Sequence, residues 1–196
     1  MNILGLTGSI GMGKSAAALM LRRLGVPVHD ADKVVHNLMS SCGKLIYCIE
    51  KMFPGVACAG AVDRRLLGQI AFSNPADLKR LEEVVHPFVE HEERLFLAAH
   101  RRARTALVVL DIPLLYETGA EQRCDSVAVV SAPYRVQHSR VMTRPGMTQD
   151  KFQSICARQL SDCEKRRRAD WVIPTGLGKR VTFAYLKATV VHLRSQ

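Results

Sequence analysis

Gly8-Ser9-Ile10-Gly11-Met12-Gly13-Lys14-Ser15 is a glycine-rich segment that ends in lysine and serine. It fills the pattern G-x-x-x-x-G-K-[ST] and lies between a short apolar run, Asn2 to Thr7, and a segment from Ser15 to Leu24 with helical spacing. Strand, glycine-rich turn and helix are the setting in which such a loop binds phosphate. Glycines let backbone N–H groups converge on phosphate oxygens, and the following helix adds its positive amino end. In that arrangement Lys14 reaches the terminal phosphates of ATP, and the Ser15 hydroxyl holds magnesium. An ordinary glycine turn before an exposed lysine is the alternative, and the flanking pattern argues against it.

Gly25 stops the first helix, Val26 to His29 reads as a second strand, and a helix carrying Val34, Val35 and Leu38 follows. Apolar runs return at Ala106 to Leu110, ended by Asp111, and at Ser126 to Val130, ended by Ser131 and Pro133. Both are apolar throughout, as strands covered on two faces are. Helices are expected at Tyr134 to Thr143, at Thr148 to Gln159 and from Ser161, which has capping-box spacing to Glu164. A strand at Trp171 to Pro174 precedes a C-terminal helix.

Between about residues 40 and 105 the spacing is helical with no convincing strand. Asn74 caps a helix with Pro75 in its first turn, and Pro87 is expected to end that helix and open another running to about Arg104. The fold class is α/β, a parallel sheet flanked by helices with a helical insertion.

A length of 196 residues suits one such domain with an inserted lobe. With 47% hydrophobic and 23% charged residues the chain is not extensively disordered. A net charge of +10 favours anionic partners such as nucleotides, phosphorylated metabolites, nucleic acid or acidic lipid. The six cysteines (Cys42, Cys48, Cys58, Cys124, Cys156, Cys163) form no C-x-x-C pair and are expected to be reduced. No apolar run approaches the roughly 18 residues of a membrane span and no basic leader precedes the first strand, so a soluble, cytoplasmic protein is expected.

Phosphoryl transfer also needs an acceptor held in line and a group to orient or deprotonate it. Asp30 and Asp32 follow the second strand and so emerge at the carboxyl edge of the sheet, where ligands bind in doubly wound folds. Asp32 is the better placed as base or magnesium contact, and Asp30 as a helix cap. Capping by both is the simpler alternative. Asp111 closes its strand where a second magnesium-side carboxylate often sits, with capping before Pro113 as the competing role. Glu117 is expected to be a solvated surface residue.

Gln137, Arg140 and Arg144 recur at three- and four-residue steps on one helix, a face that can neutralise charge over a triphosphate or simply be solvated. The run Lys165 to Arg168 and the cluster Arg101, Arg102 and Arg104 read as helix surfaces. His29 and His36 lack metal-ligand partners at useful spacing, and His86-Pro87 reads as a helix junction.

Taken in order, GLTGSIGMGKS, DADKVVH from Asp30, HPFV from His86, LDIPLLYETG from Leu110, QHSRVMTRPGMT from Gln137, and ARQ with EKRRRADWVI up to Ile173 resemble the dephospho-CoA kinase family over nearly the whole chain. The resemblance implies a P-loop kinase fold with a core at about 1–40, 105–132 and 169–196, a helical acceptor lobe at about 41–104 and a helical lid at about 133–168. It implies ATP- and magnesium-dependent phosphorylation of the ribose 3′-hydroxyl of dephospho-CoA, giving CoA.

By position, Gly8 and Gly11, Met12, Gly13, Lys14, Ser15 and Ala16 would bind ATP, with Arg144 beside them, and Ser15 and Asp111 would serve the metal. Asp32 would serve the acceptor hydroxyl, and Arg140 would belong to the lid over the phosphates. Arg64, His86, Pro87, Pro113, Leu114 and Leu115 would form the acceptor side. Ser9, Met12, Ala16, Pro145 and Thr175 depart from the family's usual residues. The other readings are a different small-molecule kinase, for a nucleoside monophosphate or shikimate, and a basic nucleic-acid-binding module. With 6% aromatics and scattered basic residues a stacking platform is not expected, nor is a nucleic-acid or membrane partner. A monomer or weak homo-oligomer is expected.

Overall fold

A computed structural model describes residues 1–40, 43–58 and 60–195. The chain forms two compact units, Met1–His29 with His100–Gln196, and Asp30–Ala99.

The first unit is built on a five-stranded sheet. Its strands are β1 (Asn2–Thr7), β2 (Val28–Asp30, which ends across the unit boundary), β5 (Leu107–Asp111), β6 (Ser126–Ser131) and β7 (Trp171–Pro174), in the order β2-β5-β1-β6-β7. β1 pairs in parallel with β5, Ile3 opposite Val108, and with β6, Gly5 opposite Val127; β6 pairs in parallel with β7. β5 is buried along its whole length and β1 and β6 along nearly all of theirs, which is why their sequences do not alternate. β1 is central and its successors lie on both sides of it. The crevice beyond its carboxyl end is therefore the switch point of the sheet, and residues 8–13 fill it.

Helix α1 (Lys14–Arg23) buries Ala17, Ala18 and Leu21 against the sheet. It closes in a Schellman turn, in which Val26 N–H donates to Leu21 O and Gly25 N–H to Arg22 O. On the same core pack Leu186, Val190 and Leu193 of the last helix, α9 (Lys179–Arg194). Three shorter helices, α6 (Tyr134–Met142), α7 (Gln149–Ala157) and α8 (Asp162–Arg168), connect β6 to β7. Thr148 caps α7 and Ser161 caps α8, the latter accepting from Glu164 N–H at 3.1 Å.

The second unit contains α2 (Ala31–Ser40), α3 (Lys44–Met52), α4 (Arg64–Ser73) and most of α5 (Pro75–Arg102). It also contains a short antiparallel pair, β3 (Ala57–Cys58) and β4 (Ala61–Val62), where no strand is expected from the sequence. Its core joins Met39, Leu45, Ile49, Phe53, Val56, Val62, Leu67 and Val85, with Leu81, Val84, Phe88 and Val89 packed against them.

Pro87 is expected from the sequence to end a helix, but α5 is a single helix of 28 residues that runs through it. Pro87 lacks the N–H that would bond Glu83 O, and an interior proline costs about 3 kcal/mol. Apolar residues on both sides of it are packed into the core, and that burial outweighs the loss. Asn74 caps the helix as expected, accepting from Ala76 N–H at 3.0 Å.

Cys48, Cys124, Cys156 and Cys163 are in no disulfide; Cys42 and the Cys58 side chain lie outside the described residues. Among the described residues no helix is long and apolar enough to cross a membrane.

Candidate nucleotide and acceptor sites

The loop at the carboxyl end of β1 has no room for side chains at its base. A Cβ on Gly8 would stand 2.3 Å from Val130 Cγ2 and 2.9 Å from Val130 O. At the other end Gly13 takes φ +91° as the N-cap of α1, a conformation L side chains rarely adopt. α1 begins with no side-chain cap and no acidic residue in its first turn. Its first backbone bond runs from Ala17 N–H to Gly13 O, so the N–H groups of Lys14, Ser15 and Ala16 have no acceptor within the helix. Three amides at the positive end of a helix form an anion site.

The carbonyls of the loop are held from outside. Gln137 Nε2 donates to Ile10 O at 2.8 Å, and Thr175 Oγ1 donates to Met12 O at 2.6 Å. Arg140 makes a longer contact of 3.4 Å to Gly11 O. In a trans peptide the N–H opposes the C=O, so taking up the Ile10 and Met12 carbonyls turns the Gly11 and Gly13 N–H groups to the other side. The Ile10 N–H is bound by Gln159 Oε1 at 3.0 Å, and the Met12 N–H by Ser9 O at 3.1 Å. Met12 enters the site as a packing residue: its side chain is buried, and its sulfur accepts from Ala132 N–H at 3.2 Å.

Lys14 Nζ lies 2.8 Å from Asp111 Oδ1, with the carboxylate buried at the end of β5. This contact fixes the ammonium at the carboxyl edge of the sheet beside the loop. Arg140 is clamped by NH2 to Thr175 O at 2.7 Å and by NH1 to Thr175 Oγ1 at 3.2 Å. Ser15 and Ala16 are exposed on the first turn of α1. These residues form one cluster.

Arg144 follows Arg140 by four residues. It lies exposed beyond the end of α6, and no hydrogen bond or ion pair ties its side chain to a described residue. Of the Pro113–Leu115 segment, Pro113 O accepts from Thr7 Oγ1 at 2.9 Å and Leu114 is exposed. Leu115 was expected on the acceptor side but is fully buried. Its Cδ2 sits 3.0 Å from where a Gly5 Cβ would be, so it is a core residue.

In the second unit Asp32 stands exposed in the first turn of α2. Asp30 Oδ1 accepts from Lys33 N–H at 3.0 Å, the capping role expected of it. His36 lies one helical turn beyond Asp32 on the same face, and Arg64 NH1 approaches its Nδ1 at 2.7 Å. Arg64 can only donate, so Nδ1 is the acceptor. His86 and Pro87 are exposed on α5.

Two features escaped the sequence reading. Lys165, placed in a solvated basic run, is fully buried, with Nζ 2.9 Å from Glu117 Oε1. Glu117, expected in solvent, also accepts from Leu160 N–H at 2.8 Å. Tyr116 beside it has its hydroxyl pushed up to about 12 by burial, then by the charges of Asp170 and Glu121, against the opposing Arg168.

The family profile described as dephospho-CoA kinase matches residues 2–177. A dephospho-CoA kinase of Paramagnetospirillum magneticum is 61% identical over 194 residues, 99% of this chain and 92% of that one. Another, of Mesorhizobium japonicum, is 50% identical over 196 residues, 100% and 98% of the two chains. Among solved structures, TT1252 from Thermus thermophilus superposes with a TM-score of 0.83 at 37% identity, covering 98% of this chain and 97% of that one. The shikimate kinase of Acinetobacter baumannii, with a TM-score of 0.54 at 16% identity over 100% and 95% of the two chains, shares the fold alone. With a P-loop kinase architecture and relatives this similar along its whole length, the chain belongs to the dephospho-CoA kinase family.

Proposed function

We propose that this protein transfers the γ-phosphoryl group of ATP to the ribose 3′-hydroxyl of dephospho-CoA, giving CoA and ADP, in the cytoplasm. The observation that carries the reading is the loop 8–15. Its amides open an uncapped helix, its carbonyls are tied away from them, and Lys14 is held beside it by Asp111. Gly11, Gly13, Lys14, Ser15 and Ala16 bind the triphosphate through backbone N–H groups. Lys14 and Arg140 gather the charge that builds on the transferring group.

A hydroxyl on Ser15 and a carboxylate on Asp111 are hard oxygen donors. Among the described residues no group of three or more His, Cys, Asp or Glu side chains makes a cage of its own. That donor set fits magnesium, which keeps waters and substrate phosphates as its other ligands. The ion neutralises phosphate charge when bound; the protein's share is to hold it with Ser15 and Asp111.

Asp32 takes the proton of the 3′-hydroxyl as its oxygen bonds to phosphorus and ADP leaves. Arg64, steadied by His36, serves the anionic acceptor together with the His86–Pro87 segment. The helical segment 41–104 is the acceptor lobe, and 133–168 forms the lid.

Two measurements test this. ADP release with dephospho-CoA, AMP, CMP and shikimate as competing acceptors should favour dephospho-CoA, and preference for another acceptor would move the chain to a different kinase reading. Asp32→Asn should cut turnover by about 10²- to 10⁴-fold while ATP still binds; unchanged turnover would remove Asp32 from the chemistry.

A further inference from the structure

Ile10 has its N–H and C=O bound by two side-chain amides from outside the loop. Gln159 Oε1 accepts its N–H at 3.0 Å, and Gln137 Nε2 donates to its C=O at 2.8 Å. These bonds fix two successive peptide units, Ser9–Ile10 and Ile10–Gly11. The second of them carries the Gly11 N–H, which faces the opposite way from the Ile10 carbonyl.

Neither glutamine is loosely placed. Gln137 is 6% exposed on α6, so its amide is held by packing. Gln159 is followed by Leu160, whose N–H donates to Glu117 Oε1 at 2.8 Å, and that carboxylate is anchored by the buried Lys165 at 2.9 Å. A chain of contacts thus runs from the buried ion pair through residues 159 and 160 to the phosphate loop.

We infer that Gln137 and Gln159 are positioning residues for the triphosphate. They are a donor and an acceptor of fixed polarity that hold the Ile10 peptides so that the Gly11 amide faces the phosphates. Neither needs to touch the nucleotide. The inference rests on the reading that this loop binds ATP, and it is independent of which acceptor is phosphorylated. Position 137 requires a donor and position 159 an acceptor, so the two sites should respond in opposite ways to one substitution. Glutamate offers only acceptor oxygens when ionised. At 159 it preserves the bond to the Ile10 N–H; at 137 it sets a carboxylate against the Ile10 carbonyl. Each change adds the same charge near the same loop, so the difference between them reports the polarity of the bond.

The test is calorimetric titration of ATP at pH 8 into the wild type, Q137E, Q159E and Q159M, with thermal unfolding and acceptor KM measured on each. Expected are dissociation constants for ATP raised about tenfold in Q159M and at least tenfold more in Q137E than in Q159E, with the KM for dephospho-CoA unchanged. A tenfold change corresponds to about 1.4 kcal/mol, the scale of one hydrogen bond whose buried partner is left unmet. A role confined to stability would lower the unfolding temperature and the active fraction while leaving the ATP constant of the folded protein alone.

Equal ATP constants for Q137E and Q159E, within twofold, would overturn the inference, as would wild-type affinity in Q159M. If Q137E does not fold, the comparison of Q159M with Q159E decides: weakening in the first and recovery in the second supports the inference, and equal affinities overturn it. Failure of the wild type to bind ATP would instead overturn the functional reading itself.

Discussion

The Glu117–Lys165 pair offers the sharpest test of how the first unit is held together. The Lys165 side chain is 0% exposed and that of Glu117 15%, with 2.9 Å between Nζ and Oε1. At an effective dielectric constant of about 20, two unit charges at that distance attract by about 6 kcal/mol, most of which offsets the cost of removing both from water. Glu117→Ala removes the counter-charge, strands the ammonium where water does not reach, and leaves the Leu160 N–H without its acceptor. Breaking a buried pair from one side costs about 3–5 kcal/mol. In a chain of this length each kcal/mol lowers Tm by about 2–4 °C, so a fall of about 6–20 °C is expected. Lys165→Met fills the same space with apolar atoms and leaves a carboxylate that keeps some solvent and its Leu160 N–H, so it should cost less. The double variant should then be more stable than Glu117→Ala alone, with a coupling energy of about 2 kcal/mol or more between the two positions. Urea unfolding of the wild type, both single variants and the double variant, followed by circular dichroism, measures this. Additive losses, with coupling below about 0.5 kcal/mol, would refute the claim that the two groups are partners in a buried ion pair.

The other predictions concern packing and titration. Gly8→Ala places a methyl 2.3 Å from Val130 Cγ2 and 2.9 Å from Val130 O; the added strain should cost about 1–3 kcal/mol and weaken ATP binding. Adding Val130→Ala should recover only part of the stability, because the backbone oxygen still clashes; unfolding curves and ATP titrations on both variants check this. Tyr116, pushed up to about 12, favours its neutral form in the folded state, whereas an unfolded tyrosine ionises near 10. Its contribution is therefore complete below about pH 10 and is lost as pH rises from about 10 toward 12. Alkaline unfolding should be shallower in Tyr116→Phe, and its tyrosinate absorbance should lack the step near pH 12.

What could be read from residues alone was whatever local pattern determines. The strand before Gly8, the loop itself and the Ser161 cap are written in neighbouring residues, so β1, α1 and α8 fall where spacing puts them. The antiparallel pair Ala57–Cys58 and Ala61–Val62 was missed because paired segments of two residues have no periodicity to detect. Pro87 misled because its backbone cost is local, whereas the burial that overrides it comes from distant parts of the second unit. Lys165 misled most. Within Glu164-Lys165-Arg166-Arg167-Arg168 nothing marks one cation as buried, and its partner lies far upstream at Glu117. Polarity has the same blind spot: Gln137 was singled out for its place on a helix face, but its work is a bond to a carbonyl more than a hundred residues away.

The contacts around Ala16, Met12 and Thr175 show how the peptides of the phosphate loop are held. Ala16 offers no side-chain donor, but its N–H lies ahead of the first backbone bond of α1, and a backbone donor does not depend on the side chain above it. Met12 and Thr175 are matched to each other. Thr175 Oγ1 has one hydrogen, and the 2.6 Å contact directs it to Met12 O in preference to Ser131 O at 3.2 Å. The lone pairs of the same oxygen receive Arg140 NH1 at 3.2 Å, so a single hydroxyl joins α6 to the loop. The Met12 sulfur meanwhile accepts from Ala132 N–H, satisfying a buried donor at the end of β6. Any pair of residues that presents a donor to the Met12 carbonyl and an acceptor to Arg140 would hold the same peptide in the same orientation. The direction of the amides is therefore set by the polarity of these contacts, which more than one side-chain combination can supply.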